Sequence, residues 1–348
     1  MADQSSENLY GLLRDNPNRI YVIAEAGLNH GGHKERALAL VRAAKWAGAD
    51  AVKFQTFRAE RLASTRPAAL AHTKDQPNLQ ELFKKLELPF ETFRALHKEA
   101  KRLGIEFLST PFDEESADFL NDLGVSAFKI ASGDITHRPL IEHVSRKGKP
   151  VLLSTGMSTA EEIERAIDWM HTQANDQVVL LHCVSSYPAK TEELNLKSVQ
   201  YLRDRFGVPV GFSDHSAGTL GSVVAASLGA QVIERHFMIE TRCDTPDHAV
   251  SLDAKALKAH IEELRTIGTI LGERGKFATE AESRNKTASR RALYARRPIA
   301  PGETIDADML YALRPAAGIS PEFVDTVVGK QALIPIEANA PVQWESIQ

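Results

Sequence analysis

Eight apolar segments alternate with amphipathic helical patterns between residue 20 and about residue 271, and this repetition constrains the fold more than any other feature. Each segment has the length of a buried strand. The predicted strands are IYVIAEA, DAVKFQT, EFLSTPF, SAFKIAS, PVLLSTG, VVLLHCV, VPVGFSD and QVIERHF. Strand–helix alternation repeated in this way favours an α/β fold of the closed (β/α)₈ barrel type. An open doubly wound sheet is the alternative, but no glycine-rich dinucleotide loop follows the first strand.

Two stretches depart from the repeat. About fifty residues separate the second and third predicted strands, and we expect there a substrate-covering loop or a plain surface insertion. After about Glu282 the pattern changes to short strands with many Pro and Gly turns, which predicts a small β-rich module. We therefore predict a barrel domain at residues 1–282 and a second domain at residues 283–348, linked through Ala281–Thr287.

The composition argues against several classes of partner. The 348 residues include 42 Lys and Arg and 46 Asp and Glu, so the formal net charge of -4 disfavours nucleic acid or an anionic membrane. Two cysteines, Cys183 and Cys243, cannot form a disulfide framework, which fits a reducing cytosol. We expect a cytoplasmic protein, because no signal peptide is evident and no apolar stretch approaches the ~20 residues of a membrane span.

Two histidines about twenty residues apart, His215 and His236, close the last two predicted strands. If these strands are parallel neighbours, both imidazoles meet at one end of the sheet. Together with the nearby carboxylates of Asp214 and Glu234, they could hold a catalytic divalent metal that keeps positions open for substrate. The alternative is two unrelated histidines that are hydrogen-bonded at strand ends.

Alternation along the strands predicts which other side chains point into the barrel. Val52 and Phe54 share one strand face, so Lys53 and Gln55 share the other. The same reasoning directs four further residues inward: Glu25, Lys129, Glu234 and His236. A strand-end lysine can instead extend its stem to water. Because burying such charges without pairing or a ligand is costly, we expect them to converge at the barrel mouth, where active sites of this fold lie.

These residue types suit an anionic partner and a carbonyl partner. Four hydroxyls end predicted strands, at Thr110, Ser132, Ser154 and Ser213. Lysines with hydroxyls and free backbone N–H groups bind phosphate or carboxylate. A divalent metal would polarise an aldehyde or ketone oxygen, and Glu25 is then a candidate for proton transfer or water orientation.

Ordered motifs along nearly the whole chain resemble the sialic (nonulosonic) acid synthases. They are EAGLNHGG, VKFQTF, LSTPFD, KIASGD, LLSTGMS, LHCVSSYP, GFSDH, IERHF and PDHAVSLD. The tail, from SRRALYA through LRPAAGISP to VGKQAL, is similar to the C-terminal type III antifreeze-like (SAF) domain of that family. The resemblance implies an enzyme that condenses phosphoenolpyruvate with an open-chain N-acylmannosamine-type sugar.

The resemblance also implies roles for individual residues. His215 and His236 would hold a divalent cation, Mn²⁺ or Mg²⁺, and Glu25 would activate water. The positions that match phosphoenolpyruvate-binding residues are Lys53, Thr110, Lys129, Ser132, Ser154, Tyr187 and Ser213. Those that match sugar-contacting residues are Gln55, Asp134 and Asp247. Arg314 matches an arginine that enters the site of the partner subunit, so a domain-swapped homodimer is implied.

Three positions depart from the pattern of the family. Gly31 and Ser185 stand where Asn is often found, and Asp134 stands where Glu is common. Ser185 lies beside the implied substrate-binding Tyr187, so these departures concern which sugar is used more than the chemistry. Relatives make sialic, legionaminic or pseudaminic acid. Two other classes remain open: a Schiff-base aldolase that uses Lys53 or Lys129, and a non-catalytic binding protein.

Overall fold

A computed structural model describes residues 8–66, 78–239 and 245–348. Part of the predicted covering loop, residues 67–77, and Cys243 lie outside the described residues. The chain divides after Gly272 into two compact units. The predicted boundary between residues 282 and 283 falls inside a helix, Glu280–Ser289, so the predicted linker is helical.

The described part of the first unit contains eight barrel strands and eleven helices. The strands are β1 (Tyr21–Gly27), β2 (Ala51–Thr56), β3 (Glu106–Pro111), β4 (Phe128–Ile130), β5 (Val151–Ser154), β6 (Val178–Cys183), β7 (Val210–Asp214) and β8 (Val232–Met238). The helices are α1 (Leu9–Asp15), α2 (Lys34–Ala47), α3 (Ala59–Leu62), α4 (Leu79–Leu86), α5 (Phe90–Leu103), α6 (Glu114–Leu123), α7 (Arg138–Ser145), α8 (Ala160–His171), α9 (Lys197–Phe206), α10 (Leu220–Ser227) and α11 (Ala254–Leu271). A short strand, β9 (Leu252–Asp253), pairs with β8.

The strands are parallel and run in the order β3-β2-β1-β8-β7-β6-β5-β4. The two strands at the ends of this order, β3 and β4, lie against each other, so the sheet curves into a near-closed barrel. The sequence prediction of a (β/α)₈ barrel is therefore confirmed. Several helices end in a glycine with a left-handed backbone, as at Gly48 and Gly104, a conformation that glycine adopts without steric cost.

The interior of the barrel changes from apolar to polar along the strands. At the N-terminal end, α1 inserts Leu9 and Leu13 into a cluster with strand residues such as Ile23. Two positions further along the strands, the same interior face carries polar groups instead. Ile23 is followed by Glu25, Ala51 by Lys53, Leu108 by Thr110, Leu152 by Ser154 and Val232 by Glu234. One end of the barrel is thus a packed core and the other a polar cavity.

The second unit contains α12 (Glu280–Ser289), α13 (Val324–Val327) and an antiparallel pair, β10 (Ala292–Ala295) and β11 (Leu310–Leu313). It has its own buried cluster, which includes Leu293, Ile305 and Val342. Isolated bridges and turns connect its short segments, as the composition predicts. Across the described residues, no helix combines the length and the apolar character needed to cross a membrane.

Candidate active site

A cavity of about 490 Å³ lies at the carboxyl ends of the barrel strands. The predicted site residues that line it are Glu25, Lys53, Gln55, Thr110, Lys129, Ser132, Ser154, Ser185, Tyr187, Ser213, His215, His236 and Asp247. Asp134 lies beside this lining, in the turn that contains Gly133, and its Oδ2 is buried without a hydrogen-bond partner in the described structure. Arg314 is an exposed residue of the second unit, just after β11.

Lys53 holds the centre of a buried ion network. Its Nζ lies 2.9 Å from Glu25 Oε2 and 3.6 Å from Glu234 Oε2, and it donates a hydrogen bond of 3.2 Å to Thr110 Oγ1. Gln55 Nε2 donates to the other oxygen of Glu25 at 3.3 Å. The side chains of Lys53, Glu25 and Glu234 are at most 4% exposed, so these charges are held by one another rather than by water.

Glu234, which the sequence analysis placed near the two histidines as a possible metal-binding carboxylate, lies between both lysines. Its Oε1 accepts a hydrogen bond of 2.9 Å from Ser213 Oγ and lies 3.8 Å from Lys129 Nζ. Strand alternation already predicted that Glu234 points into the barrel, because it precedes His236 by two positions and therefore shares its strand face.

The network separates the pKa values of its two carboxyl groups. Burial raises the pKa of Glu25, although the adjacent Lys53 charge opposes this effect. Burial also disfavours the charged form of Glu234, but Lys129 and Lys53 outweigh it and lower the pKa of this group. Glu25 is therefore the carboxyl that takes up a proton more readily, a property suited to proton transfer.

The two lysines differ in the same way. Burial lowers the pKa of Lys53, but Glu234 and Glu25 outweigh it and leave the pKa raised, so this ammonium stays charged. The pKa of Lys129 is lowered by burial. Lys129 has the longer ion pair, 3.8 Å to Glu234, and is the less compensated positive charge in the cavity.

Strand-end hydroxyls form a second polar surface next to Lys129. Ser132 Oγ accepts a hydrogen bond of 3.0 Å from the Gly156 N–H, and a Cβ at position 156 would overlap the hydroxyls of Ser132 and Ser185. Glycine at this position thus permits their close approach. Ser154 Oγ is buried and has no hydrogen-bond partner among the described residues. An unpaired buried hydroxyl beside a lysine is suited to binding an anion.

The imidazoles of His215 and His236 face each other, with ring centroids 5.3 Å apart. His215 Nδ1 lies 3.0 Å from the Val184 carbonyl oxygen and 3.6 Å from Cys183 Sγ. In the neutral imidazole, donation of Nδ1–H to the carbonyl leaves Nε2 unprotonated, the arrangement typical of metal-ligating histidines. Burial opposes the charged form of His215, but Cys183 and the Val184 carbonyl outweigh it and raise the pKa of this group, so a cation at Nε2 would have to displace a proton. Cys183 is a buried neighbour of His215 that the sequence analysis did not place in the site.

His236 has a free ligand atom in the described structure. Its Nδ1 is buried without a hydrogen-bond partner and lies 3.7 Å from Asp247 Oδ2. Burial lowers the pKa of His236 well below its ordinary value, which favours the neutral, metal-binding form. The two imidazoles therefore fit a divalent cation. The described residues contain no group of three or more His, Cys, Asp or Glu side chains arranged for a metal.

Asp214 does not belong to this site, and its assignment as a nearby carboxylate was wrong. It is fully buried on the helix-facing side of β7, where its Oδ1 lies 3.0 Å from Arg235 Nη1. It also accepts hydrogen bonds of 2.6 Å from Ser216 and Ser222 hydroxyls. Strand alternation explains the placement, since Ser213 points inward and its neighbour must point outward.

The mouth of the cavity has an apolar side. Leu28, Phe83 and Phe112 line it there, and both phenylalanines pack edge-on against Phe57. Phe83 comes from α4, which lies in the long connection between β2 and β3. This connection therefore supplies part of the cavity wall, as expected for a substrate-covering segment.

Two family models match successive parts of this chain. Residues 40–276 match the model of the NeuB family, and residues 290–348 match the SAF domain. An N,N'-diacetyllegionaminic acid synthase of Legionella pneumophila is 40% identical, over 94% of this chain and 94% of that protein. A pseudaminic acid synthase of Campylobacter jejuni is 34% identical, over 92% of this chain and 94% of that protein.

A solved structure is similar in both sequence and fold. The N-acetylneuraminic acid (sialic acid) synthetase of Leptospira borgpetersenii, in complex with citrate, superimposes with a TM-score of 0.70 at 33% identity. The match covers 77% of this chain and 90% of that one.

Arg235 offers a test of the ion pair behind the two histidines. Arg235→Met should lower the free energy of unfolding by about 3–5 kcal/mol, because it leaves the Asp214 carboxylate buried without its cation. Arg138→Met is the matched control, since it removes an exposed ion pair with Glu142 and should cost at most ~1 kcal/mol. Urea unfolding measures both variants. Equal losses would show that burial adds nothing to the Asp214–Arg235 pair.

Proposed function

Because this chain belongs to the NeuB family, we propose that it is a nonulosonic acid synthase that condenses phosphoenolpyruvate with an open-chain N-acylmannosamine-type sugar. The products are a nonulosonic acid and phosphate, so the enzyme is a phosphoenolpyruvate-dependent transferase that forms a C–C bond. The observation that carries the proposal is the convergence of two lysines, strand-end hydroxyls and two imidazoles on one cavity.

The phosphoenolpyruvate end of the site is the region of Lys53, Lys129 and the strand-end hydroxyls. A trianionic substrate needs fixed positive charge and several donors, and this surface offers both. The contributing hydroxyls are those of Thr110, Ser132, Ser154, Ser213 and Tyr187. The unpaired Ser154 Oγ supports the assignment, since a phosphate or carboxylate oxygen would satisfy it.

The proposed reaction proceeds in two bond-forming steps. The methylene carbon of phosphoenolpyruvate attacks the aldehyde carbon of the sugar, and C2 becomes an oxocarbenium centre. The aldehyde oxygen takes up a proton from water and becomes a hydroxyl. Water adds to this centre, and Glu25 accepts its first proton. Phosphate then leaves with cleavage of the C2–O bond, while the new C2 hydroxyl becomes the ketone and its proton passes to the phosphate. The raised pKa of Glu25 suits this role. Held by His215 and His236, Mn²⁺ or Mg²⁺ would supply Lewis-acid polarisation of the aldehyde oxygen.

The sugar end of the site is the region of Gln55, Asp134 and Asp247, with Ser185 at its edge. Burial raises the pKa of Asp134 to about 6, and its buried Oδ2 supports a role in binding a sugar hydroxyl. The relatives named above make legionaminic, pseudaminic and sialic acids, and this chain uses the same chemistry with one of these acceptor types.

A Schiff-base aldolase is the second candidate function, and the lowered pKa of Lys129 favours it. The nucleophile of such an enzyme must be a neutral amine. Lys53 does not suit this role, because its pKa is raised by the neighbouring carboxylates. Lys129, whose pKa is lowered by burial, suits it better than Lys53.

Arg314 would complete the site from a second copy of the chain. Its exposed guanidinium is permanently charged and planar, which suits recognition of carboxylate or sugar oxygens. We therefore propose a domain-swapped homodimer. A cytoplasmic location, and the absence of nucleic-acid or membrane partners, stay predictions from the sequence.

The reaction is tested by phosphate release from phosphoenolpyruvate with a panel of N-acylated mannosamine-type sugars that differ at C4 and C6. We expect phosphate release with at least one sugar and an equimolar amount of nonulosonic acid. Without a sugar, we expect no phosphate release. Borohydride added during turnover should trap no lysine adduct. A trapped adduct on Lys129 would instead support the aldolase, and no release with any sugar would contradict the synthase.

The cation is tested by removal. Chelation should abolish phosphate release, and added Mn²⁺ should restore it. His236→Ala should abolish the activity without changing the thermal unfolding midpoint by more than a few degrees, and it should also weaken Mn²⁺ binding measured by calorimetry. Full activity in chelator, with no cation found by metal analysis, would contradict the assignment of His215 and His236.

The role of Arg314 is tested by mixing two inactive variants, Arg314→Ala and Glu25→Ala, under conditions that exchange subunits. If the arginine acts on the partner subunit, one of the two sites in a mixed dimer combines an intact barrel with an intact arginine. Mixed dimers should then recover up to half of the native activity. If the arginine acts in its own subunit, each site in a mixed dimer carries one lesion and stays inactive. Subunit exchange without recovery of activity would therefore contradict the proposal.

A further inference from the structure

The loop after β1 and the loop after β8 are joined at the cavity mouth by one buried amide. Asn29 is 2% exposed. Its Nδ2 donates to the Phe237 carbonyl oxygen at 2.8 Å and to Ser251 Oγ at 2.7 Å, and its Oδ1 accepts from Thr245 Oγ1 at 2.6 Å. One side chain thus binds the end of β8 and both ends of the segment 245–251.

The same segment carries Asp247 into the cavity. The Asp247 carbonyl oxygen accepts a hydrogen bond of 2.7 Å from the Ser251 hydroxyl that Asn29 also binds. Its carboxylate Oδ2 accepts the Leu28 N–H at 2.7 Å, from the residue next to Asn29. A Cβ at Gly27 would overlap this carboxylate oxygen. The β1 loop therefore fixes both the backbone and the carboxylate of Asp247.

Asn29 does not itself line the cavity in the described chain. Its contribution to binding must act through the groups that it holds. We propose that Asn29 is a positioning residue that fixes Asp247 for the acceptor sugar, an inference that rests on the proposed function. An amide suits the task because it supplies two N–H donors and an acceptor at once, whereas an aspartate would supply acceptors only.

Positioning of Asp247 should affect the binding of the sugar but not the binding of phosphoenolpyruvate. A carboxylate held in place before binding meets the sugar hydroxyls without the entropic cost of ordering its loop. The phosphoenolpyruvate groups, such as Lys129 and Ser154, lie on β4 and β5, on other strands of the barrel. Loss of Asn29 should therefore raise the KM for the sugar selectively.

The experiment compares Asn29→Ala with Asn175→Ala, using the best acceptor of the sugar panel. Asn175 is an equally buried asparagine, 2% exposed, whose Nδ2 donates to the Ser145 and Lys149 carbonyls near the opposite end of the barrel. Asn29→Ala should raise the KM for the sugar ~10- to 100-fold and change that for phosphoenolpyruvate by less than about threefold. Asn175→Ala should leave both KM values unchanged, although it loses similar hydrogen bonds.

A double mutant tests whether Asn29 acts through Asp247. In the Asp247→Ala background, Asn29→Ala should change the KM for the sugar by less than about twofold, because the group that it positions is absent. Full additivity of the two effects would overturn the proposal. So would a parallel rise in both KM values after Asn29→Ala.

Amide hydrogen exchange provides a readout that needs no turnover. In the free protein, Asn29→Ala should speed exchange at the Leu28 amide and in the segment 247–251 by ~10-fold or more, while Asn175→Ala should not. Unchanged exchange would overturn the proposal. If the native enzyme releases no phosphate with any sugar, the synthase assignment fails, and the exchange data alone decide whether Asn29 holds Asp247.

Discussion

The alternation of side chains across each barrel strand is the constraint on which the site depends. One face of every strand packs on the helices, so Phe54 and Phe128 are fully buried in that layer. The other face points into the barrel, whose N-terminal end is filled by α1 and apolar strand residues. Polar residues that follow on the same face, such as Lys53 and Glu25, must then converge at the other end.

Convergence of buried charges is costly unless they are paired, and the pairing determines what the cavity can bind. Glu234 shares its carboxylate between Lys53 and Lys129, and Glu25 adds a second contact to Lys53. This network holds Lys53 between two carboxylates, and under the proposed function such preorganisation lowers the reorganisation that phosphoenolpyruvate binding requires. Lys129 has the longer ion pair, 3.8 Å to Glu234, and under the proposed function it is the lysine that a phosphate or carboxylate would compensate.

Groups outside the cavity hold the residues that line it. The Asp214–Arg235 pair joins the ends of β7 and β8 on the helix-facing side, directly behind His215 and His236. Asn29 joins the loops after β1 and β8 at the cavity mouth. Neither the Asp214–Arg235 pair nor Asn29 lines the cavity, but each fixes the direction of side chains that line it.

The sequence alone determined the barrel, its strands and most of the cavity lining, because strand period and strand-end chemistry are local properties. Strand alternation also predicts that Asp214 points outward and that Glu234 points inward. The helix Glu280–Ser289 also has a local signal, the capping box of Thr279 and Glu282, which the sequence analysis missed. Tertiary structure decided the rest: that α1 plugs the barrel and that Cys183 contacts His215. Such contacts join residues far apart in the chain, and local pattern carries no information about which of several possible hydrogen-bond partners a buried group will meet.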